Sequence, residues 1–182
     1  MSTIRRGEGG FSLLEVLAAI VILSIVSLAM TSFFVHAMTY SKGNENKTIE
    51  VNLARNALFF LGKQDFDRFL VYLTTSGNGP ISTRGCEKLV DGVSYSCPGS
   101  PSLASLFEET PLLWDALKPV VNGKEYEVEV AYNESVLDGK EAGVKKYLLP
   151  VKVSVAESGS SRKSGRNSAE VEGYITDEQI RE

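Results

Sequence analysis

Between Val16 and Ser41 the chain holds no Asp, Glu, Lys or Arg, and neither proline nor glycine. His36 is the one side chain there that titrates near neutrality. A bilayer's hydrocarbon core takes about 20 apolar residues at the helical rise, so this run is long enough to span it. A soluble core helix would carry a polar stripe at helical spacing. Ser24, Ser27, Thr31 and Ser32 do not make one, because helical hydroxyls can bond back to their own backbone. A secretory signal would have an apolar core of about 7–15 residues followed by a small-x-small cleavage site. The run here is longer and no clear site follows, so a retained span is expected.

The pattern then changes period twice. Beyond Lys42-Gly43-Asn44, apolar residues recur at Ile49, Leu53, Ala57, Phe60 or Leu61, Phe66, Phe69, Leu70 and Leu73. Offsets of mostly three or four place them on one stripe, with Glu45, Lys47, Glu50, Arg55, Lys63, Asp67 and Arg68 largely around it. One long helix is expected, apolar over 11–41 and amphipathic over 42–73, with glycines at Gly43 and Gly62 as weak points. Residues 74–118 form an irregular connection rich in Gly, Ser, Thr and Pro, with a short helical piece from Leu103 to Leu117. Residues 119–182 read as an antiparallel sheet. Glu125 to Tyr132 alternates acidic with apolar or aromatic residues. Asn122-Gly123 before it is a hairpin turn dipeptide that pairs Pro119-Val120-Val121 with that strand. Tyr147–Ala156 and Ala169–Thr176 are further strands, and Pro150 argues for an edge position or a bulge. The fold class is therefore α+β, a long helix covering the dry face of a small antiparallel sheet.

Charge adds orientation and removes several functions. The chain has 182 residues and a net charge of −4. Arg5 and Arg6 precede the span, and excess Lys/Arg marks the cytoplasmic side, so residues from about 42 onward belong outside. Cys86 and Cys97 fall in that outer part, where an even count in an oxidising compartment favours a disulfide. Closing this loop stabilises the fold by about 3 kcal/mol in the chain-entropy picture. Zinc does not suit the cysteine spacing, and no cofactor is expected. Asn133, Glu134, Asp138 and Glu141 surround a turn but match no calcium-loop signature. With its only histidine in the apolar run and no phosphate-cradling loop, the chain does not read as an enzyme. Asp65 and Asp67 face apart on a helix and make a poor carboxylate pair. Arg162, Lys163 and Arg166 in a Ser/Gly loop are a small electrostatic footprint for DNA or a surface, or simply a solvated loop.

One carboxylate stays unexplained. In "RRGEGGFSLLEVL", Glu15 opens the apolar run, and the next charge is Lys42. An ionised carboxylate costs about 2.5–3.5 kcal/mol at a bilayer centre, so a lone one marks function by default. The alternative is a headgroup-level residue that favours the helix's first turn. "GG" followed by "FSLLEVLAAIVILSI", with the architecture above, resembles the type IV pilin and pseudopilin family. Gly10 matches the family's glycine before the cut, Phe11 the aromatic residue after it, and Glu15 its glutamate five positions into the mature chain.

The resemblance implies that residues 1–10 are a cytoplasmic leader removed by a prepilin peptidase, which also N-methylates Phe11. It implies that the new amine on an incoming subunit neutralises Glu15 of a neighbour. The implied partners are other pilins or pseudopilins, met through the N-terminal helix, the peptidase, and a membrane assembly platform. The implied location is the cytoplasmic (inner) membrane in a single pass, then a filament at the cell surface. No proline stands at Ser32, where many major pilins have one, and "LLEVLAA" is closer to minor pilins and pseudopilins. The resemblance thus points to a minor pilin that initiates or tips a type IV pilus. The alternatives are a competence or type II secretion pseudopilin, or a DNA- or surface-binding module on the same scaffold.

Overall fold

The computed structural model describes residues 10–137, 146–159 and 168–177. The chain divides into two compact units, with the boundary between Glu45 and Asn46. The first helix, α1, runs Leu13–Leu61 and passes through Gly43 without interruption.

The first unit is the apolar part of α1. Ser12 caps its start, its hydroxyl accepting the Glu15 amide at 3.2 Å and its carbonyl accepting the Val16 amide at 3.2 Å. Within the apolar run three hydroxyls bond back to their own helix. Ser24 donates to the Ile20 carbonyl at 2.8 Å, Thr31 to Ser27 at 2.8 Å, and Thr39 to Val35 at 2.9 Å. By length and composition the helix is long and apolar enough to cross a membrane.

In the second unit the helical run expected to reach Leu73 is divided. α1 ends at Leu61, and a second helix, α2, spans Phe66–Thr74. Two local effects stop α1. The Lys63 and Gln64 amides close tighter bonds to Phe60 and Leu61 (3.0 and 3.1 Å), as a last turn does when the helix cannot continue. Asp65 then adopts extended geometry and accepts the Arg68 amide at 3.2 Å, capping the next helix. Phe66, Phe69 and Leu73 still point into the core, so the apolar period survives the break and conceals it. The short helices α3 (Pro101–Glu109) and α4 (Leu113–Leu117) follow, where a single piece from Leu103 to Leu117 was expected.

Among the described residues seven strands run in chain order: β1 Ile81–Ser82, β2 Glu87–Lys88, β3 Tyr95–Ser96, β4 Val120–Val121, β5 Lys124–Tyr132, β6 Leu148–Glu157 and β7 Ser168–Thr176. The main sheet is antiparallel in the order β1-β5-β6-β7, with β4 also paired to β5. Asn122 and Gly123 have φ of 53° and 75°, the two positive values a tight β4–β5 hairpin requires. Val128, Val130, Val151, Val153 and Val155 on β5 and β6 turn to one face and meet Ala54, Ala57 and Leu61 of α1. At Gly173 on β7 a Cβ would meet the Leu58 side chain of α1, which would have to shift to make room.

Pro150 departs from expectation, since β6 has neighbours on both sides and Pro150 is neither at an edge nor in a bulge. Its carbonyl accepts the Asn133 amide at 3.0 Å, so its missing donor faces the same side, just past the last residue of β5. The ladder to β5 has ended where proline could not have contributed to it.

Cys86 and Cys97 form a disulfide that closes the loop holding the β2–β3 hairpin. Tyr95 of β3 stacks with Phe107 of α3 and Trp114 of α4 at centroid distances of 5.3 and 5.2 Å. The connection is thus held at both its covalent base and an aromatic cluster.

Candidate processing and assembly site

The expected site residues at the N-terminal end lie together. Gly10 and Phe11 precede the helix in irregular, exposed chain, and Phe11 is 81% exposed. A glycine with nothing near its α-carbon offers a bare backbone, the form in which a peptide can enter a narrow cleft. Ser12 caps the helix directly after Phe11, so the scissile-bond candidate sits just outside the helix start.

Glu15 lies in the first helical turn, solvent-exposed, where the unpaired amides of a helix N-terminus favour negative charge. Phe11, Glu15, Val16, Ala19, Ile20 and Leu23 border one open apolar notch on the helix surface. Its lining can accept an apolar side chain from another helix while leaving the carboxylate within reach of that helix's end.

Cys86 and Cys97 are bonded to each other. Arg162, Lys163 and Arg166 fall outside the described residues, as do Asp138 and Glu141. Asn133 donates to Glu172 at 3.3 Å and accepts the Ser135 hydroxyl at 2.8 Å. Among the described residues no group of three or more His, Cys, Asp or Glu could hold a metal ion.

Two polar residues were not singled out correctly by spacing. Glu50, assigned to the solvated flank, is buried, with Oε2 lacking a hydrogen-bond partner among the described residues. Burial pushes its carboxyl up from the ordinary range and Glu157 adds to this, against opposing pulls from Lys47 and Lys124. Asp91 organises the β2–β3 turn. It accepts the Ser94 hydroxyl at 2.6 Å and the Ser94 and Val93 amides at 2.9 and 3.0 Å, which holds its carboxyl below the usual range. The Asp91-Gly92 dipeptide was the available signal for that turn.

Residues 5–31 match the family described as the prokaryotic N-terminal methylation motif. No curated protein and no solved structure matches the chain. The matched segment contains Gly10, Phe11 and Glu15 and runs into the apolar helix. With the long helix packed on an antiparallel sheet, it supports membership of the type IV pilin and pseudopilin family, whose role is structural. The motif supports a pilin-type prepilin-peptidase substrate and a membrane-anchored precursor, and it suggests other pilins and the peptidase as partners in general terms.

Proposed function

We propose that this protein is a minor pilin-like subunit that enters a type IV pilus or related filament at initiation or at its tip. Hydrolysis of the Gly10–Phe11 bond frees the Phe11 amine, which is then methylated. Loss of the leader removes Arg5 and Arg6, whose charges would hold that end at the cytoplasmic surface. The observation that carries this reading is the coincidence of three features: the motif over residues 5–31, a helix starting right after the candidate cut, and a lone carboxylate in its first turn.

In the membrane Glu15 has no basic residue between Val16 and Ser41 to pair with. A new α-amine on an adjacent subunit supplies the missing positive charge, and the apolar notch beside Glu15 supplies a seat for the neighbouring helix. The C-terminal unit lies outside the cytoplasm in this reading. Absence of a proline at Ser32 favours a minor over a major subunit.

Mass spectrometry of the N-terminus from membranes with active prepilin peptidase tests the proposal. The expected result is a chain beginning at N-methylated Phe11. A chain still carrying Arg5 and Arg6 overturns it.

A further inference from the structure

β7 stands last in the order β1-β5-β6-β7, so among the described residues its outer edge has no neighbouring strand. Its register with β6 is continuous from Ser168 to Thr176, with no proline and no bulge in β7. Natural sheets usually shorten, bulge or cover such an edge. Bonds on either side of β6 show which backbone groups of β7 point outward. The Pro150 carbonyl faces β5, where it accepts the Asn133 amide, and the Tyr147 carbonyl faces β7, where it accepts the Asp177 amide. Facing alternates along an antiparallel ladder, so Ala169, Val171, Gly173 and Ile175 direct their amides and carbonyls at β6. Those of Ser168, Glu170, Glu172, Tyr174 and Thr176 point outward, a row of backbone donors and acceptors along the edge.

The two faces of β7 carry different side chains. Glu170, Glu172 and Tyr174 stand on the face turned away from α1 and are exposed. Lys152 pairs with Glu170 at 3.4 Å and Asn133 donates to Glu172 at 3.3 Å, which leaves this face of the edge acidic. On the other face Val171 packs against the core and Gly173 lies under Leu58 of α1. Val51 and Arg55 share the Leu58 side of α1 by helical spacing. Val51 is half-buried, so a strand laid beside β7 would meet an apolar wall on that face.

We propose that the β7 edge is a strand-addition site for an extended segment of a different protein, which alternates basic with β-branched apolar residues and pairs antiparallel to β7. The outward backbone groups supply the hydrogen bonds, and Glu170 and Glu172 select cations opposite them. The guest's apolar residues turn to the side of Val51 and Val171. The same acids disfavour a second copy, because two β7 edges side by side would set carboxylates against carboxylates. In antiparallel pairing the residue opposite Glu172 has its side chain on the same face and its own amide and carbonyl aimed back at β7. The guest's basic residues, and not its apolar ones, therefore make the backbone bonds. The site lies wholly within the second unit and goes beyond the filament reading without resting on it.

The probe is a fluorescent peptide as long as β7, acetylated and amidated, that alternates lysine with valine, added to the full chain in phosphatidylcholine vesicles. Fluorescence anisotropy should show saturable binding, and residue-resolved hydrogen exchange should slow at the amides of Glu170, Glu172 and Tyr174. N-methylating the lysine amides of the peptide should abolish binding, whereas N-methylating the valine amides should leave it. Glu172→Pro deletes an outward amide that the β6 ladder does not use, so binding should fall about tenfold, the loss of one backbone hydrogen bond, with the fold kept. Glu170→Lys with Glu172→Lys should reject the lysine peptide and admit one that alternates glutamate with valine. Equal binding of a peptide with the lysines and valines in two blocks, equal loss from either methylation pattern, or protection spread beyond β7 would each overturn the site. Slow exchange of the outward amides in the chain alone would show the edge already filled and overturn it as well. A leader still attached alongside normal peptide binding would count against the filament reading alone.

Discussion

Glu50 is the residue whose setting departs most from its type. It is 4% exposed, and a carboxylate in that position loses hydration without gaining a full set of donors. Its folded pKa is raised above the ordinary 4.5, so the folded state holds its proton more tightly than the unfolded state. Stability from this group is fully present below about 4.5. It declines as pH rises through the raised value and stays lost above it. Glu50→Gln should remove that decline and stabilise the chain at pH 7 by about 1 kcal/mol. Thermal unfolding of the full chain in detergent micelles at pH 4 and pH 7 measures this; an unchanged pH dependence in the variant would contradict it. Asp91 has the opposite sign. Its hydrogen bonds to Ser94 and Val93 favour the charged form, so the turn is stable at neutral pH and weakens as pH falls through its lowered pKa.

At the scale of elements, the disulfide and the helix–sheet contact are the points of greatest leverage. The Cys86–Cys97 loop contains only a short hairpin and has little core of its own, so the covalent tie restricts its unfolded state. Replacing both cysteines with serine should cost about 3 kcal/mol, read as a lowered denaturation midpoint. At Gly173 a side chain on β7 would press on Leu58 of α1, so Gly173→Val should cost about 1–3 kcal/mol through overpacking. A melting temperature equal to that of the parent chain would show the helix free to move away.

These elements were unequally legible beforehand. β5 was readable because its acidic–apolar alternation has period two, and the β4–β5 turn because Asn122-Gly123 accepts positive φ. The end of α1 was not, because Phe66, Phe69 and Leu73 resume the same stripe after the Asp65 cap. Pro150 misled for a related reason: its missing amide matters only where a partner strand would use it, and β5 stops one residue short. The candidate site could be proposed from the sequence because Gly10, Phe11 and Glu15 lie within one local segment.

At the scale of the whole molecule, the proposed function assigns the meeting of subunits to the apolar helix and its early carboxylate, Glu15. Glu15→Gln keeps the shape of the side chain and removes the charge that a neighbouring amine would neutralise. Processing at Gly10 should continue, while incorporation into sheared filaments should fall at least tenfold by quantitative immunoblot. Undiminished incorporation would remove the assigned role of the carboxylate. Gly10→Trp should leave the leader attached, because a bulky side chain closes off the extended backbone; normal trimming of that variant would place the cut elsewhere.

The chain's local chemistry determined the spanning helix, the motif around the proposed cut, the alternating strands and the tight turn. Each depends on residues within a few positions of one another, where hydropathy period and backbone freedom act directly. Only the tertiary structure decided that Glu50 is buried and that Leu58 packs over Gly173. Those outcomes depend on which distant segments pack together, and burial and facing are properties of a packed pair that neither segment carries alone.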